Sequence, residues 1–327
     1  MHSQNRRTFL KQIGTSTLAL SFLPLAWQCT SNTTSTNQGT NHTFGLQLYT
    51  LRDILPGSVE SILQKVSEMG YTHIETYGIE PQGTSGQFLG HSIQEFSSWL
   101  EKHKLKTFSG HYNLEGYLNP SIADDQQLHF ALDCAQKLGQ SYVIAPVPPI
   151  QMVNELGPAE YEYIAQRLND AGKLAREKGI KIGYHNHFWE FRTLSDGRKG
   201  IDILLNQTNP EDVIFEMDLF WTERAGFSNI DYFTKHPGRF PLWHIKDMDP
   251  SFNDPMLGPS LDTLPLETLN SRIKYTEVGT GSIDFKAIWK ERELAGAQYF
   301  FIEQDFIYKD KLESIAQSLQ YVKEQLK

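Results

Sequence analysis

Lys181-Ile182-Gly183-Tyr184-His185-Asn186-His187 is a short β-prone run that ends in imidazole and amide side chains. Ahead of it, Ile164, Leu168, Ala171, Leu174 and Ala175 repeat with helical spacing up to Gly179. A helix that feeds a strand ending in polar chemistry is the repeating unit of a parallel sheet with crossover helices. Outward in both directions the unit recurs. Strand-like runs stand at Phe44-Tyr49, Thr72-Tyr77, Lys106-Tyr112, Tyr142-Ala145, Lys181-His187, Val213-Asp218, Leu242-Lys246 and Tyr299-Glu303. Between them lie helical stripes such as Ile62, Val66 and Met69 before Gly70. Ser92 and Glu95 have the spacing at which the two ends of a first helical turn satisfy each other, with Ile93, Phe96 and Leu100 facing the sheet. No glycine-rich phosphate turn follows Tyr49, which argues against an open doubly wound sheet. The expected fold is therefore α/β, a single-domain (β/α)8 TIM barrel over residues 43–327. Met248–Ile273 lacks periodicity and is expected to cross the barrel mouth as a lid.

The 327 residues carry 39 acidic and 30 basic side chains, a formal charge of -9. That balance provides no basic footprint for phosphate backbones, so nucleic acid is not an expected partner. The cysteines are Cys29 and Cys134, too few for a disulfide framework. Cys134, among Leu132, Ala135 and Leu138, reads as a small buried helix residue.

Asn5-Arg6-Arg7-Thr8-Phe9-Leu10-Lys11, followed by an apolar run through Leu18, Leu20, Phe22 and Leu23, reads as a twin-arginine export signal over residues 1–29. The run is shorter than the ~20 residues of a spanning helix. Residues 30–42 begin Thr30-Ser31-Asn32-Thr33-Thr34 and read as a polar, flexible tether. Cys29 stands where a lipoprotein junction would place a lipid anchor to the membrane, with plain cleavage as the alternative. A periplasmic location is expected in either case.

In a TIM barrel the working residues come from the C-terminal ends of several strands. Here those ends are rich in ionisable groups: Tyr184-His185-Asn186-His187-Phe188-Trp189-Glu190, Glu216-Met217-Asp218, His244-Ile245-Lys246-Asp247 and Glu303-Gln304-Asp305. Period two puts His185 with His187, and His244 with Lys246, on one strand face. Mixed carboxylate and imidazole donors converging at one mouth suit one divalent metal ion, Mn, Fe, Co or Zn. Asp218 has a second reading as a helix N-cap, and Glu303 as half of a buried ion pair. His111 ends the third strand and Trp221 stands near the mouth; each is a substrate-side candidate with ordinary packing as its alternative.

Tyr184-His185-Asn186-His187-Phe188-Trp189-Glu190-Phe191, Asp218-Leu219-Phe220-Trp221, His244-Ile245-Lys246-Asp247 and Val278-Gly279-Thr280-Gly281-Ser282-Ile283-Asp284-Phe285 resemble the sugar phosphate isomerase/epimerase family of xylose-isomerase-like barrels. The likeness extends to Gly45-Leu46-Gln47-Leu48-Tyr49 and Gly70-Tyr71-Thr72-His73-Ile74-Glu75. The resemblance implies a divalent ion held by four side chains from strands five to eight. Asp218, His244 and Glu303 match three of them, and Glu190 or His185 is the fourth. It implies proton abstraction beside a sugar carbonyl through an enediolate, with His187, Lys246 or Glu303 as the base. Isomerisation or epimerisation would result. If a neighbouring oxygen leaves, the same intermediate makes the protein a lyase or dehydratase, with His111 as the acid. His185, Trp221, Glu75 and Asp247 are the expected substrate contacts. Similarity to endonuclease IV stops at Asp218-Leu219-Phe220-Trp221, where a second-metal histidine is missing. Export and the lack of a clustered Arg/Lys clamp favour a free or oxidised sugar over a phosphorylated one. A metal-free, noncatalytic sugar-binding barrel is the competing reading.

Overall fold

The computed structural model of the chain describes residues 42–327 except 84, 253, 255, 257–264, 266, 267, 269 and 270. The expected export signal at 1–29, the Cys29 junction, residues 30–41 of the tether and much of the 248–273 excursion lie outside the described residues. Among the described residues no helix is long and apolar enough to cross a membrane.

Eight parallel strands close into a barrel: β1 (Phe44–Gln47), β2 (His73–Thr76), β3 (Lys106–His111), β4 (Tyr142–Ala145), β5 (Lys181–His185), β6 (Val213–Asp218), β7 (Leu242–Ile245) and β8 (Tyr299–Ile302). Closure comes from β1, which pairs with β2 on one side and β8 on the other. The expected (β/α)8 barrel is the observed fold. Several strands stop one or two residues before the sequence runs do. After Gln47 the chain turns at once into the 3-10 segment Leu48–Leu51, with the Gln47 side chain accepting from the Tyr49 amide. After His185, Asn186 is taken up by the neighbouring strand: its Oδ1 accepts from the Asp218 amide at 3.1 Å and its Nδ2 donates to Thr222 Oγ1 at 3.2 Å.

The helices form where spacing places them. Val59–Met69 buries Val59, Ile62, Leu63 and Val66 and ends on Gly70, whose φ of 97° is left-handed. Pro158–Arg176 buries Ile164, Leu168, Ala171 and Ala175. Ser92 caps Ile93–Lys102 by accepting from the Glu95 amide, but the Glu95 carboxylate reaches His91 Nδ1 at 3.2 Å, so only half of the expected reciprocal pair is made. Cys134 is buried, and burial pushes its thiol up to about 11. A small antiparallel sheet of Ile79–Gln82, Ser85–Phe88 and His91–Ser92 was not expected, because strands this short, broken by Pro81 and Gly86, show no alternation.

Inside the barrel the N-terminal floor is apolar but for the buried His73 ring: Tyr142, Ile144, Ile214, Leu242 and Phe301 form one buried cluster. Gly183 on β5 belongs to this layer, since a Cβ there would sit 2.3 Å from Ile144 Cδ1 and 2.7 Å from Ile214 Cδ1. Above it, along the same strands, the interior turns polar.

Candidate metal centre and active site

Period two along β6, β7 and β8 carries the change. Ile214 is followed on the inner face by Glu216 and then Asp218, Leu242 by His244 and Lys246, and Phe301 by Glu303. Their neighbours are His111 from β3, His185 from β5 and Glu75 from β2, all buried or nearly so. Glu216 Oε2 lies 2.6 Å from His111 Nε2, 3.0 Å from His185 Nδ1 and 3.2 Å from His244 Nε2. His244 spans the interior, its Nδ1 2.7 Å from Glu303 Oε2 and its Nε2 2.7 Å from Glu75 Oε2. Glu75 also accepts from Gln47 Nε2 and Ser109 Oγ.

Toward the mouth, Lys246 Nζ lies 2.9 Å from Glu303 Oε2, 2.9 Å from Asp305 Oδ2 and 3.1 Å from Asp218 Oδ2. Burial opposes its charge, but these carboxylates overcome it and hold the ammonium well above its ordinary range. His187 is the opposite case: burial, then His185 and Lys246, hold it well below, as a neutral imidazole. Burial also pushes His185 down to about 3, although Glu216 works the other way. For His111 and His244 the carboxylates around them win over burial and raise both.

Among the described residues, two groups of donors are close enough to hold a metal ion, His111, His185, Glu216 and His244 in one, and Asp218, His244 and Glu303 in the other. Buried Glu216 Oε1 accepts no hydrogen bond from the protein, and Asp218 Oδ2 is met only by the Lys246 ammonium at 3.1 Å and His185 Nε2 at 3.6 Å. Acceptors left this way in a dry interior fit a cation. Both readings of Asp218 hold at once: Oδ1 caps the helix Leu219–Arg224 by accepting from the Trp221 amide at 2.9 Å, while Oδ2 faces the site.

A cavity of about 540 Å³ opens at this end, lined on its inner side by His111, His185, His187, Lys246, Glu303 and Asp305. Of the expected site residues, Glu75, Asp218 and His244 lie beneath it among the buried donors, and Glu190, Asp247 and Trp221 are not brought into it. Glu190, expected as a metal ligand, is turned away from the donor groups: Oε1 accepts from Tyr184 OH at 2.6 Å and Oε2 from the His187 amide at 2.8 Å. Tyr184 precedes His185 on the strand and faces outward, and Glu190 follows it there. Asp247, expected to touch substrate, instead accepts from the amides of Met248, Gly279, Gly281 and Ile283 and anchors that loop. A side chain on Gly281 would collide with it. Trp221 packs against Phe220, Phe188 and His187, with Lys246 Nζ 5.4 Å from its ring centroid, and does not line the cavity. Glu216 and Asp305 were missed, although Glu216 shares the inner face of Asp218 and the period-two rule reaches it.

The sequence pattern of the family described as "Xylose isomerase-like TIM barrel" matches residues 63–325. The chain belongs to that family. An inosose dehydratase from Clostridium botulinum (strain Alaska E43 / Type E3) is 30% identical over 168 residues, 50% of this chain and 54% of that protein. The chain thus spans about half the length of the first curated relatives it matches. Two solved structures of sugar phosphate isomerase/epimerases from Parabacteroides distasonis are similar. One has a TM-score of 0.70 at 22% identity, over 89% of this chain and 98% of the other. The second has 0.65 at 25%, over 86% and 97%.

Proposed function

We propose that the protein enolises a free or oxidised sugar, removing a proton from the carbon beside a carbonyl, and so acts as an isomerase or epimerase. The observation that carries this reading is Lys246, set among three carboxylates, and His187, stacked on Trp189, on the wall of one cavity next to a metal-capable donor set. Asp218, His244 and Glu303 would hold a divalent ion, and His185, whose Nε2 lies 3.6 Å from Asp218 Oδ2 and which reaches the cavity with Glu303, would complete the set. Such an ion, when bound, supplies Lewis-acid polarisation of a carbonyl oxygen. His187 is the base: as neutral imidazole it keeps a lone pair, and its side chain lines the cavity. Lys246 stays protonated and stabilises the negative charge that develops on the substrate oxygen, so of the bases expected from sequence it is the least suited. Trp189, stacked on His187 with ring centroids 4.4 Å apart, keeps the imidazole in place.

Elimination is the second reading, favoured by the inosose dehydratases among the relatives. His111, on the cavity wall and held toward its protonated form, would donate to the departing oxygen. Proton NMR in D₂O, with metal-replete protein and a panel of free and 3-oxidised sugars, tests both readings. Deuterium beside the carbonyl is expected, with an epimer, isomer or unsaturated product naming the outcome. No exchange with any keto sugar would sink the enolisation reading. We also propose export by the twin-arginine route; normal export of an Arg6→Lys/Arg7→Lys variant would rule it out.

A further inference from the structure

The chemistry above uses one side of the cavity. The other side is walled by Tyr49, Tyr77, Ile79 and Glu80, with Tyr112, Asn113 and Glu115 beside them. Beyond them lies exposed aromatic surface. The described residues include five large hydrophobic side chains exposed to solvent, and Tyr49, Phe306 and Tyr308 among them come from the loops after β1 and β8, neighbouring strands of the barrel. Single exposed apolar residues are ordinary, but several on adjacent loops beside a cavity mark a binding surface.

This strip is built rather than loose. The Arg52 guanidinium lies 4.1 Å from the Tyr49 ring centroid and 5.2 Å from that of Phe306. Its Nη1 donates to the Tyr49 carbonyl at 3.0 Å and its Nη2 to the Asp305 carbonyl at 2.6 Å, so one side chain ties the two loops together. Tyr77 meets Tyr49 edge-on at 5.3 Å. Asp305, which precedes Phe306, receives the Lys246 ammonium. The strip is therefore registered to the reacting side, and rings already held in place cost little further ordering when a ligand arrives.

An aromatic face flanked by polar groups suits a pyranose, which offers an apolar C–H face and hydroxyls around its edge. A single hexose, with about a dozen heavy atoms, leaves much of a cavity of this size unfilled. We infer that Tyr49, Tyr77 and Phe306, braced by Arg52, form a subsite for a second sugar ring, and that the substrate is an oxidised glycoside whose leaving group rests there.

The inference rests on the enolising site proposed above and selects its elimination branch. The base takes the proton from the carbon between the carbonyl and the anomeric carbon. That electron pair forms the new C=C bond, the anomeric C–O bond breaks, and its pair leaves on the aglycone oxygen, which takes up a proton. An unsaturated keto sugar and an alcohol result, with no change in redox state.

The test uses matched pairs in both anomeric series: a 3-oxidised glucose disaccharide and the 3-oxidised methyl glucoside. With the wild-type protein, KM for the disaccharide should be at least about tenfold below that for the methyl glucoside. Tyr49→Ala and Phe306→Ala should bring that ratio close to one, and Tyr49→Trp should restore it. Calorimetric titration with the unoxidised pairs reads the same preference without chemistry. Equal KM values in the wild type, or a ratio that survives both alanine variants, overturns the subsite and leaves enolisation standing. A change of oligomeric state in Phe306→Ala by sedimentation would make the strip a contact between copies and also overturns it. Binding preference without exchange or elimination would instead overturn the catalytic reading, and neither binding nor turnover removes both.

Discussion

At the floor of the barrel Ile214, Leu242 and Phe301 close on Tyr142 and Ile144, whereas one inner-face step further along the same strands Glu216, His244 and Glu303 fill the interior. The floor is a dispersion-packed plug that stabilises the fold. The mouth concentrates buried charge, and desolvating those groups opposes folding unless each finds a partner. Hence the dense pairing of Lys246 with three carboxylates and of His244 with Glu75 and Glu303. The two layers lie two residues apart along the chain, yet changes in them should affect different properties.

The largest separation is expected from Lys246→Met. Losing the cation that faces developing charge should slow deuterium exchange by about 10³-fold. A variant that exchanges within a few-fold of wild type would remove Lys246 from the chemistry. Phe301→Ala at the floor should do the reverse, costing about 3–5 kcal/mol in urea unfolding through the cavity it leaves. Exchange per folded molecule should change little. If it falls as far as in Lys246→Met, the two layers are not separable.

His73 sharpens the contrast, because it is a titratable group inside the floor. Its ring lies among Phe108, Tyr299 and Phe301, and burial lowers it from 6.5 to about 4. The unfolded chain therefore binds a proton that the folded chain refuses. His73's contribution to stability is complete above pH 6.5 and is lost as pH falls toward 4, at up to about 1.4 kcal/mol per pH unit. Unfolding curves across that window should be shallower for His73→Phe; identical slopes would place the acid sensitivity at the mouth instead.

The smallest effect on the mouth is expected from Glu190→Gln. It perturbs the hydrogen bonds to Tyr184 and His187, at about 1–2 kcal/mol, while bound metal measured by elemental analysis stays stoichiometric. Glu303→Gln should lose metal. Loss of metal from a folded Glu190→Gln protein would return Glu190 to the ligand set.

Legibility follows the same division. Asp218, His244, Lys246 and Glu303 were readable because each continues the inner face of a strand, and the alternation of side chains is a local property of the backbone. Glu216 lies on the same inner face two residues before Asp218, so that rule reaches it as well. Asp305 lies beyond β8, where only the path of the following loop brings it to Lys246. The antiparallel sheet at residues 79–92 left no periodic trace.

The sequence by itself determined the eight strand-and-helix units, the parallel closed barrel and the ionisable strand ends, since propensity, spacing and period two act over a few residues. Only the tertiary structure decided which ionisable groups meet. Glu75 and His244 touch although 169 positions apart, Glu190 turns outward to Tyr184, and Asp247 is drawn into a loop of amides. Once a chain leaves its strand, side-chain direction is set by the hydrogen bonds available around it and no longer by periodicity. The same reason places Tyr49 and Phe306 together at the rim: Arg52 joins two loops that are remote in sequence and adjacent only because β1 closes the barrel against β8.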